Sequence, residues 1–169
     1  MPLLDATIPL GALSHRAEHA LVARLTDLLL EHEGADPANE DARHLAWVFV
    51  QRPEVYVAGA TPNSPRYRFV CQVPEGQYND ERRAAVTSEM TQAVADAENG
   101  AWPHPEFRVC VFTVEIPDGI WGGGGGIIRL PDIYQIVGRS RQAAEQVLAE
   151  RRRQDSERIL AAAAGVPPR

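Results

Sequence analysis

The order of hydrophobic and polar positions predicts a strand, a helix and a second strand in the first third of the chain. An apolar run over 3–10 is typical of a short strand. Ser14 then caps a predicted helix that ends near His32. Its hydrophobic positions recur at helical spacing and are Ala17, Leu21, Leu25, Leu28 and Leu29. A further apolar run over 44–51 predicts a buried strand.

A second cycle with the same order follows. Residues 66–73 predict a strand, and Asn79 or Asp80 caps a helix that Asn99–Gly100 ends. Its predicted core face consists of Val86, Met90, Ala93 and Val94. Residues 107–115 predict the next strand, after which a turn and a glycine run lead to another apolar segment over 127–130.

The two cycles resemble each other in detail, with an offset of about 63 residues. Val48-Phe49-Val50 matches Val111-Phe112-Thr113, and a polar turn with a proline follows each. A repeat of order and turn indicates duplication of a βαβ unit. We therefore predict an α+β fold, a four-stranded sheet with two helices on one face. The bare face of such a sheet favours burial by self-association.

The domain organisation predicted from this pattern is a core over 1–138, with pseudo-repeats at about 2–60 and 66–130, and a helical tail over 139–169. The tail is rich in charge and poor in large apolar residues, and it ends in Val166-Pro167-Pro168-Arg169. We expect a solvated helix with a frayed end. The alternative is a helix that docks on a partner or a neighbouring subunit.

Composition narrows the classes of function. The 169 residues are 44% hydrophobic with a net charge of −6, which is globular and argues against a nucleic-acid surface. No apolar run reaches the length of a membrane span, and the first residues lack the features of a signal peptide. We expect a cytoplasmic protein with no membrane partner. Cys71 and Cys110 lie in apolar runs and are interpreted as buried, reduced thiols.

All 17 basic residues are arginine, so the chain has no lysine amine for Schiff-base or phosphate chemistry. Pro2 is small enough to permit removal of Met1, which would expose a secondary amine. Such an amine can act as a base if an apolar pocket lowers its pKa. Trp121 and Phe112 are candidates for that pocket. The competing interpretation is that Met-Pro has no catalytic meaning.

A chain that starts Pro-Leu-Leu as a strand and continues as two βαβ cycles resembles the tautomerase superfamily over about residues 2–136. Val114-Glu115, Asp118-Gly119-Ile120-Trp121 and the glycine run are similar to a segment of its fused members, which include malonate semialdehyde decarboxylase and cis-3-chloroacrylic acid dehalogenase. The resemblance implies a homotrimer with Pro2 as general base or acid at each site. It also implies that Trp121 is a wall of the substrate pocket.

The chain departs from that pattern in places that matter for chemistry. The resemblance implies an arginine at the start of the second long helix to hold a substrate carboxylate. The stretch 73–80 has none and offers Gln77 instead. Phe112 stands where the dehalogenases have a tyrosine, and their water-activating glutamate has no counterpart at 120–122. Hydrolytic dehalogenation is therefore not expected.

Other residues are candidates for the missing polar groups. Arg66 opens the third strand and could reach a pocket across a trimer interface, although a solvated strand-end charge is the competing interpretation. His44 lies before the second strand, where tautomerases often place a polar partner. His15 and His19 share a helix face without a third ligand, and the glycine run precedes a strand rather than a helix. We expect no metal and no cofactor.

The function predicted from these residues is keto–enol tautomerisation of a small 2-oxo acid, with Pro2 moving the proton. This reaction needs only a base, an apolar pocket and a group that stabilises the enolate oxygen. The alternatives are decarboxylation of a small 3-oxo acid and a non-catalytic trimeric binding protein. Loss of the arginines favours the binding protein, whereas Pro2 and Trp121 favour an enzyme.

Overall fold

The computed structural model describes residues 2–165. Met1 and the proposed frayed end at 166–169 lie outside the described residues. The elements are β1 (Leu3–Thr7), α1 (His15–Glu33), α2 (Glu40–Leu45), β2 (Trp47–Gln51), β3 (Tyr67–Pro74), α3 (Asp80–Glu98), a 3-10 turn (Pro105–Phe107), β4 (Val109–Ile116), β5 (Trp121–Gly123), β6 (Gly126–Ile128), α4 (Leu130–Ile136) and α5 (Arg141–Ala163).

The chain divides into two compact units. The first contains the described residues up to Val73 together with Tyr78–Val114. The second contains Pro74–Gln77 and the described residues from Glu115 onward. The first unit therefore holds most of the sheet with α1 and α3, and the second holds β5, β6, α4 and α5.

Four strands form one mixed sheet in the order β2-β1-β3-β4. β1 runs parallel to β2, with Leu3 opposite Trp47, and antiparallel to β3, with Leu3 opposite Gln72. The Tyr67 amide donates to the Arg108 backbone oxygen, and the Glu75 amide donates to the Ile116 backbone oxygen. In both bonds the donor and the acceptor are the same number of residues apart along the chain. Since this holds only when the two strands run in the same direction, β3 and β4 are parallel. The sheet thus combines two βαβ units, which confirms the predicted fold class.

Alternate residues of the central strands form the core with α1 and α3. Leu4 and Ala6 of β1 and Ile8, the residue after it, are completely buried, and so are Phe69, Cys71 and Val73 of β3. The predicted apolar stripes of the helices are confirmed except at Ala17, which is only half-buried. The predicted residues that are buried are Leu21, Leu25, Leu28, Leu29, Val86, Met90, Ala93 and Val94. The inward-facing residues of the strands and the apolar faces of the two helices therefore form one hydrophobic cluster.

The other face of the sheet is exposed. Trp47 and Phe49 of β2 are 60% and 48% exposed, and Phe112 of β4 is 50% exposed. The prediction of a buried strand over 44–51 was wrong in two respects. Asn39 caps the short helix α2 by accepting a hydrogen bond from the Ala42 amide, which delays the strand to Trp47. β2 is also an edge strand whose outward residues nothing in the described chain covers.

Two cysteines were expected to be buried, and only one is. Cys71 packs in the core with its Sγ 3.6 Å from Sδ of Met90, and burial raises the pKa of its thiol to about 12. Cys110 is exposed, so the expectation for this residue was wrong. It occupies an outward position in β4, where side chains alternate between the two faces.

The turns that lead into the two long helices show the duplication more clearly than the strands do. Pro9-Leu10-Gly11 precedes the N-cap Ser14, and Pro74-Glu75-Gly76 precedes the N-cap Asn79. Both glycines have positive φ, 75° and 83°, a conformation that favours glycine. The offset here is 65 residues, compared with 63 for the strands that follow, because the connection that contains α2 is longer than its counterpart before β4.

The second unit contains a hairpin and two helices. β5 and β6 pair antiparallel, with Trp121 opposite Ile128. The tail was expected to be solvated, but the first half of α5 packs on α4, a helix that the sequence analysis missed. Their shared core consists of Leu130, Tyr134, Ala144 and Leu148. Further along α5, Ile159 and Leu160 are 67% and 69% exposed.

A buried ion pair stabilises the second βαβ unit where α3 ends. Arg108 donates from Nη1 to Oε1 of Glu98 at 2.6 Å and from Nη2 to Oε2 at 2.5 Å. Tyr67 donates its hydroxyl proton to the same carboxylate at 3.0 Å. The carboxylate and the guanidinium are almost completely buried, with 1% and 4% of their side chains exposed. Both charges are therefore paired and hydrogen-bonded, as buried charges require.

No helix in the described range combines the length and hydrophobicity that crossing a membrane requires.

Candidate functional site

Pro2 immediately precedes β1 and is buried. Its carbonyl oxygen accepts a hydrogen bond of 3.2 Å from the Trp47 amide, so the parallel ladder holds the proline backbone in place. The Pro2 nitrogen has no role in that bond. The position is therefore rigid on its carbonyl side, and its nitrogen sits at the end of the strand.

Two aromatic residues of β2 stand beside this end of the sheet. The rings of Trp47 and Phe49 meet edge to face, with centroids 6.2 Å apart. The Trp47 indole donates a hydrogen bond of 3.0 Å to the backbone oxygen of His44. Trp47 was not among the predicted site residues. The signal was the alternation of Trp47, Phe49 and Gln51 along one strand, which places all three on the outer face.

His44, a predicted site residue, belongs to α2 and is exposed. It connects to Pro2 through Trp47, because its backbone oxygen holds the indole while the Trp47 amide holds the proline. Its neighbour Arg43 is occupied by an ion pair with Asp27 at 2.5 Å and by the Pro37 oxygen at 3.0 Å. Of these two residues, only the His44 side chain projects from α2 without such a partner.

A polar cluster interrupts the apolar outer face next to β1. The Asp5 carboxylate accepts hydrogen bonds from Nε2 of Gln72 at 3.0 Å and from Nε2 of Gln51 at 3.4 Å. Asp5 lies two residues beyond Leu3 on the same side of the strand. This group was not predicted, because Asp5, Gln51 and Gln72 lie on three different strands. Only the pairing register of those strands brings the three side chains together.

Phe112 and Arg66 lie in the same unit as Pro2 but in different places. Phe112 is on the outer face of β4, where the Arg68 guanidinium lies over its ring at 5.6 Å. Arg66 lies just before β3. Because β1 and β3 are antiparallel, with Thr7 opposite Arg68, Arg66 is at the far end of β1 from Pro2. Within one chain, Arg66 is therefore distant from Pro2.

Gln77 and Trp121 belong to the second unit. Gln77 is buried, and its Nε2 donates a hydrogen bond of 3.3 Å to the Tyr134 hydroxyl oxygen. Tyr134 in turn lies under the Arg139 guanidinium at 3.9 Å from the ring centroid. Trp121 is 8% exposed at the start of the β5–β6 hairpin, and the glycine run forms the hairpin turn.

The carboxylates of this unit are held by structural contacts. Glu115 accepts from the Gly76 amide at 3.0 Å and from Arg151 at 2.6 Å. Asp118 accepts from the Leu130 amide at 2.8 Å and from Arg129 at 3.0 Å. Each side chain thus closes a turn with a cation beside it, and neither is placed as a free acid or base.

His15 and His19 stack with ring centroids 4.2 Å apart on α1. Across the described chain, no group of three or more histidine, cysteine or acidic residues is arranged to hold a metal ion.

Comparison with known proteins is informative at the level of structure. No family model matches the sequence, and no curated protein matches it. A protein inactivated by 2-oxo-3-pentynoate is 23% identical, with a TM-score of 0.60, over 74% of this chain and 94% of its own. A fused 4-OT described as a symmetric trimer is 23% identical, with a TM-score of 0.59 and the same coverage.

A member of the cis-3-chloroacrylic acid dehalogenase family aligns over more of the chain. It is 16% identical, with a TM-score of 0.63, and the match covers 87% of this chain and 99% of that protein. At these identities the likeness concerns the course of the backbone. The chain has the fold of the tautomerase superfamily, in its form with two fused βαβ units.

Proposed function

We propose that this protein is a tautomerase-superfamily enzyme that interconverts the keto and enol forms of a small 2-oxo acid. With Met1 removed, the neutral Pro2 amine takes the proton from the enol hydroxyl, and the resulting ammonium delivers it to C3. The observation that carries the proposal is a buried proline at the first strand of this fold, with its carbonyl held by the Trp47 amide.

The environment of Pro2 supports its role as a base. Burial disfavours the protonated form of an amine, so we expect the pKa of the Pro2 nitrogen to lie below that of an ordinary chain terminus. The aromatic rings of Trp47 and Phe49 add apolar surface at this end of the sheet. A base whose pKa approaches neutrality is largely unprotonated at physiological pH and can still return the proton.

The remaining predicted site residues complete the proposal. Trp121 and Phe112 provide apolar surface for the substrate, while His44 and Gln77 are candidates to stabilise the enolate oxygen. Arg66 is not included, because it lies at the opposite end of β1. This assignment requires a homotrimer, in which the exposed sheet faces meet and neighbouring chains contribute to each site.

The exposed apolar face supports self-association. A surface that carries Trp47, Phe49, Phe112 and Val114 at 40–60% exposure is unusual for a monomer. A fused 4-OT with this fold is described as a symmetric trimer. We propose the same state for this protein, with no metal, cofactor, nucleic acid or membrane partner.

The first test is ketonisation of an aryl enolpyruvate by protein whose N-terminus has been verified by mass. We expect Pro2→Ala to lower kcat/KM by about 100-fold or more, the usual contribution of a general base. Pro53→Ala is a matched control, since Pro53 is an exposed proline in the segment that follows β2 in the first unit. Unchanged turnover in Pro2→Ala would refute the mechanism.

The absence of lysine allows a second, independent test. 2-Oxo-3-pentynoate is an electrophile that adds to amines and thiols, and Pro2 would be the only amine in the chain. We expect one adduct on the N-terminal peptide, with loss of activity in proportion to labelling. Labelling confined to Cys110 would contradict the assignment of the reactive amine.

A specific observation also favours a second candidate, a non-catalytic homotrimer that binds a partner. In the turn 74–77, where the resemblance places a carboxylate-binding arginine, Gln77 is buried and bonded to Tyr134. This candidate predicts a trimer without turnover even when Met1 is absent. Release of CO₂ from a small 3-oxo acid, lost in Pro2→Ala, would instead identify the protein as a decarboxylase.

A further inference from the structure

The two equivalent turns of the duplicated fold have different surroundings. At Gly76, a Cβ atom would lie 2.5 Å from Cγ1 of Val147, so α5 packs directly on this turn. At Gly11, a Cβ atom would have no neighbour within 4 Å. Leu10, which precedes Gly11, is 88% exposed. The first turn is therefore open where the second is covered.

The open turn lines a cleft of about 370 Å³ in the first unit. Its other walls are Pro53 and Val55, the loop 61–66, and Trp102. Four of the lining residues are prolines, which give rigid walls with few backbone donors, and none is acidic. The cleft thus has largely apolar walls and no negative charge among its lining residues.

The single cation that lines this cleft is Arg66. Its Nη1 donates to Oγ of Ser64 at 2.7 Å, to the Ser64 backbone oxygen at 3.0 Å and to the Pro65 oxygen at 3.3 Å. These neutral acceptors orient the guanidinium and leave its charge uncompensated. Within residues 2–165, no carboxylate pairs with it, and Nε and Nη2 donate no hydrogen bond to the protein.

Other arginines of the same unit show what is missing at Arg66. Arg52, which also donates to a backbone oxygen, binds both carboxylate oxygens of Glu18 at 2.7 Å. Arg108 is paired with Glu98. An oriented guanidinium with two free donor positions beside apolar walls is suited to a carboxylate.

We propose that this cleft is a binding site for a small monocarboxylate with a flat apolar body. The carboxylate binds Nε and Nη2 of Arg66, and the body lies against Trp102 and the prolines. The site is separate from Pro2, since it lies at the other end of β1, about 20 Å away at the rise of an extended chain. It does not depend on the proposed function.

Two sources share this ligand chemistry, a free aromatic acid and the terminal carboxylate of a peptide that ends in an aromatic residue. The probes are 3-phenylpropanoate for the first and N-acetyl-glycyl-phenylalanine for the second. Their primary amides are the matched neutral controls. Whichever acid binds more tightly identifies the source.

The readout uses the three tryptophans of the chain. In a ¹⁵N-correlation spectrum of the full-length protein, titration with either acid should shift the indole signal of Trp102, independently of any shift of Trp47 or Trp121 that binding near Pro2 causes. Each amide should bind about tenfold more weakly or worse, because it loses a charge-assisted hydrogen bond. Arg66→Gln should weaken binding of the acid to the same extent. Arg152→Gln, an exposed arginine on α5, should leave it unchanged.

Equal affinity of acid and amide would overturn the proposal, as would a shift of Trp47 or Trp121 in place of Trp102. Absence of any Trp102 shift at millimolar acid would also overturn it. The comparison of acid with amide on the unmodified protein stands even if Arg66→Gln does not fold. Ketonisation by Pro2 should be unaffected in Arg66→Gln, so failure of one proposal is distinguishable from failure of the other.

Discussion

Cγ1 of Val147 lies 2.5 Å from the point that a Cβ atom on Gly76 would occupy, so α5 can pack on the turn 74–77 only because residue 76 is glycine. Its structural equivalent, Gly11, has the same left-handed backbone but no neighbour within 4 Å of that point. The duplication thus provides an internal control, in which the same turn exists with and without a helix against it.

We predict that Gly76→Ala destabilises the protein more than Gly11→Ala. Both substitutions place alanine at positive φ, which costs about 1–2 kcal/mol. Gly76→Ala also forces Cβ into Val147, and overpacking of this kind adds about 1–3 kcal/mol. Urea unfolding at constant pH measures the difference between the two variants.

The double variant Gly76→Ala/Val147→Ala separates the two contributions. If the clash with Val147 is the cause, the second substitution should recover part of the loss, since neighbouring residues are not additive. Equal losses for Gly76→Ala and Gly11→Ala would show that α5 does not pack on this turn in solution.

A second prediction concerns the buried pair of Glu98 and Arg108. Replacing Glu98 by Gln leaves the Arg108 guanidinium without a counter-charge in an almost completely buried position, which we expect to destabilise the fold by about 3–5 kcal/mol. Arg153 also makes two ion pairs, with Glu150 and Glu157, but all three side chains are exposed. Arg153→Gln should not change the unfolding midpoint. A Glu98→Gln variant as stable as the parent would show that the pair is not buried.

The same cluster predicts how stability changes at alkaline pH. Burial, together with the negative charge of Glu98, raises the pKa of Tyr67 well above that of a free tyrosine. Above about pH 10 the unfolded chain loses this proton while the folded chain keeps it, so stability should fall as pH rises. Tyr67→Phe should reduce that fall, whereas Tyr56→Phe, which alters an exposed hydroxyl, should not. Urea unfolding at pH 8 and pH 10.5 measures how much stability is lost between the two pH values. An equal loss of stability in Tyr67→Phe and Tyr56→Phe would contradict the prediction.

The periodic parts of the fold were predictable from sequence, and the non-periodic connections were not. The stripe that contains Leu21 and Leu25 and the caps Ser14 and Asn79 are local signals, so both long helices follow from them. α2 and α4 are too short for a periodic signal. The last two residues of α2, His44 and Leu45, also fall in the apolar run that predicted a strand. The alternation of residues along a strand defines two faces of the sheet, but it does not show which face the helices cover. Cys110 and Phe49 were therefore predicted to be buried, although both are exposed.

The candidate site was predictable only where one residue has a distinctive chemistry. Pro2 could be selected because of its position in a lysine-free chain. The residue is buried, and its catalytic role stays a prediction. Arg66 could not be placed, because the antiparallel pairing of β1 with β3 decides which end of the sheet it occupies. Asp5 and Trp47 were missed, since their partners are distant in sequence and depend on strand register.

Thiol chemistry gives a fourth prediction. Cys110 is exposed, while Cys71 lies in the core with a pKa raised to about 12 by burial. The thiolate is the reactive form, so an aromatic disulfide reagent at pH 8 should modify only Cys110 in the folded protein, provided that the outer face is accessible. Denaturation should expose the second thiol. Cys110→Ser should abolish the native reaction, and rapid modification of Cys71 would show that the core opens readily.

Slow modification of Cys110 would have a different meaning, because this residue shares the outer face with Phe112 and Arg68. Protection that weakens on dilution would indicate that association covers the face. The reactivity of the Cys110 thiol therefore reports whether the outer face of the sheet is buried in an oligomer.

The last prediction is that the exposed face of the sheet holds the oligomer together. Phe49→Asp places a charge on an apolar surface that association would bury, which is strongly unfavourable without a partner. This variant should shift the sedimentation coefficient from that of a trimer to that of a monomer at micromolar concentration. Ile159→Asp is the matched control, since Ile159 is 67% exposed on α5, and it should leave the trimer intact. Dissociation by Ile159→Asp and not by Phe49→Asp would move the interface from the sheet to the helix. A monomeric parent protein would refute the oligomer altogether. The active site would then have to be complete within one chain, and the roles proposed for Gln77 and Trp121 could not rest on neighbouring subunits.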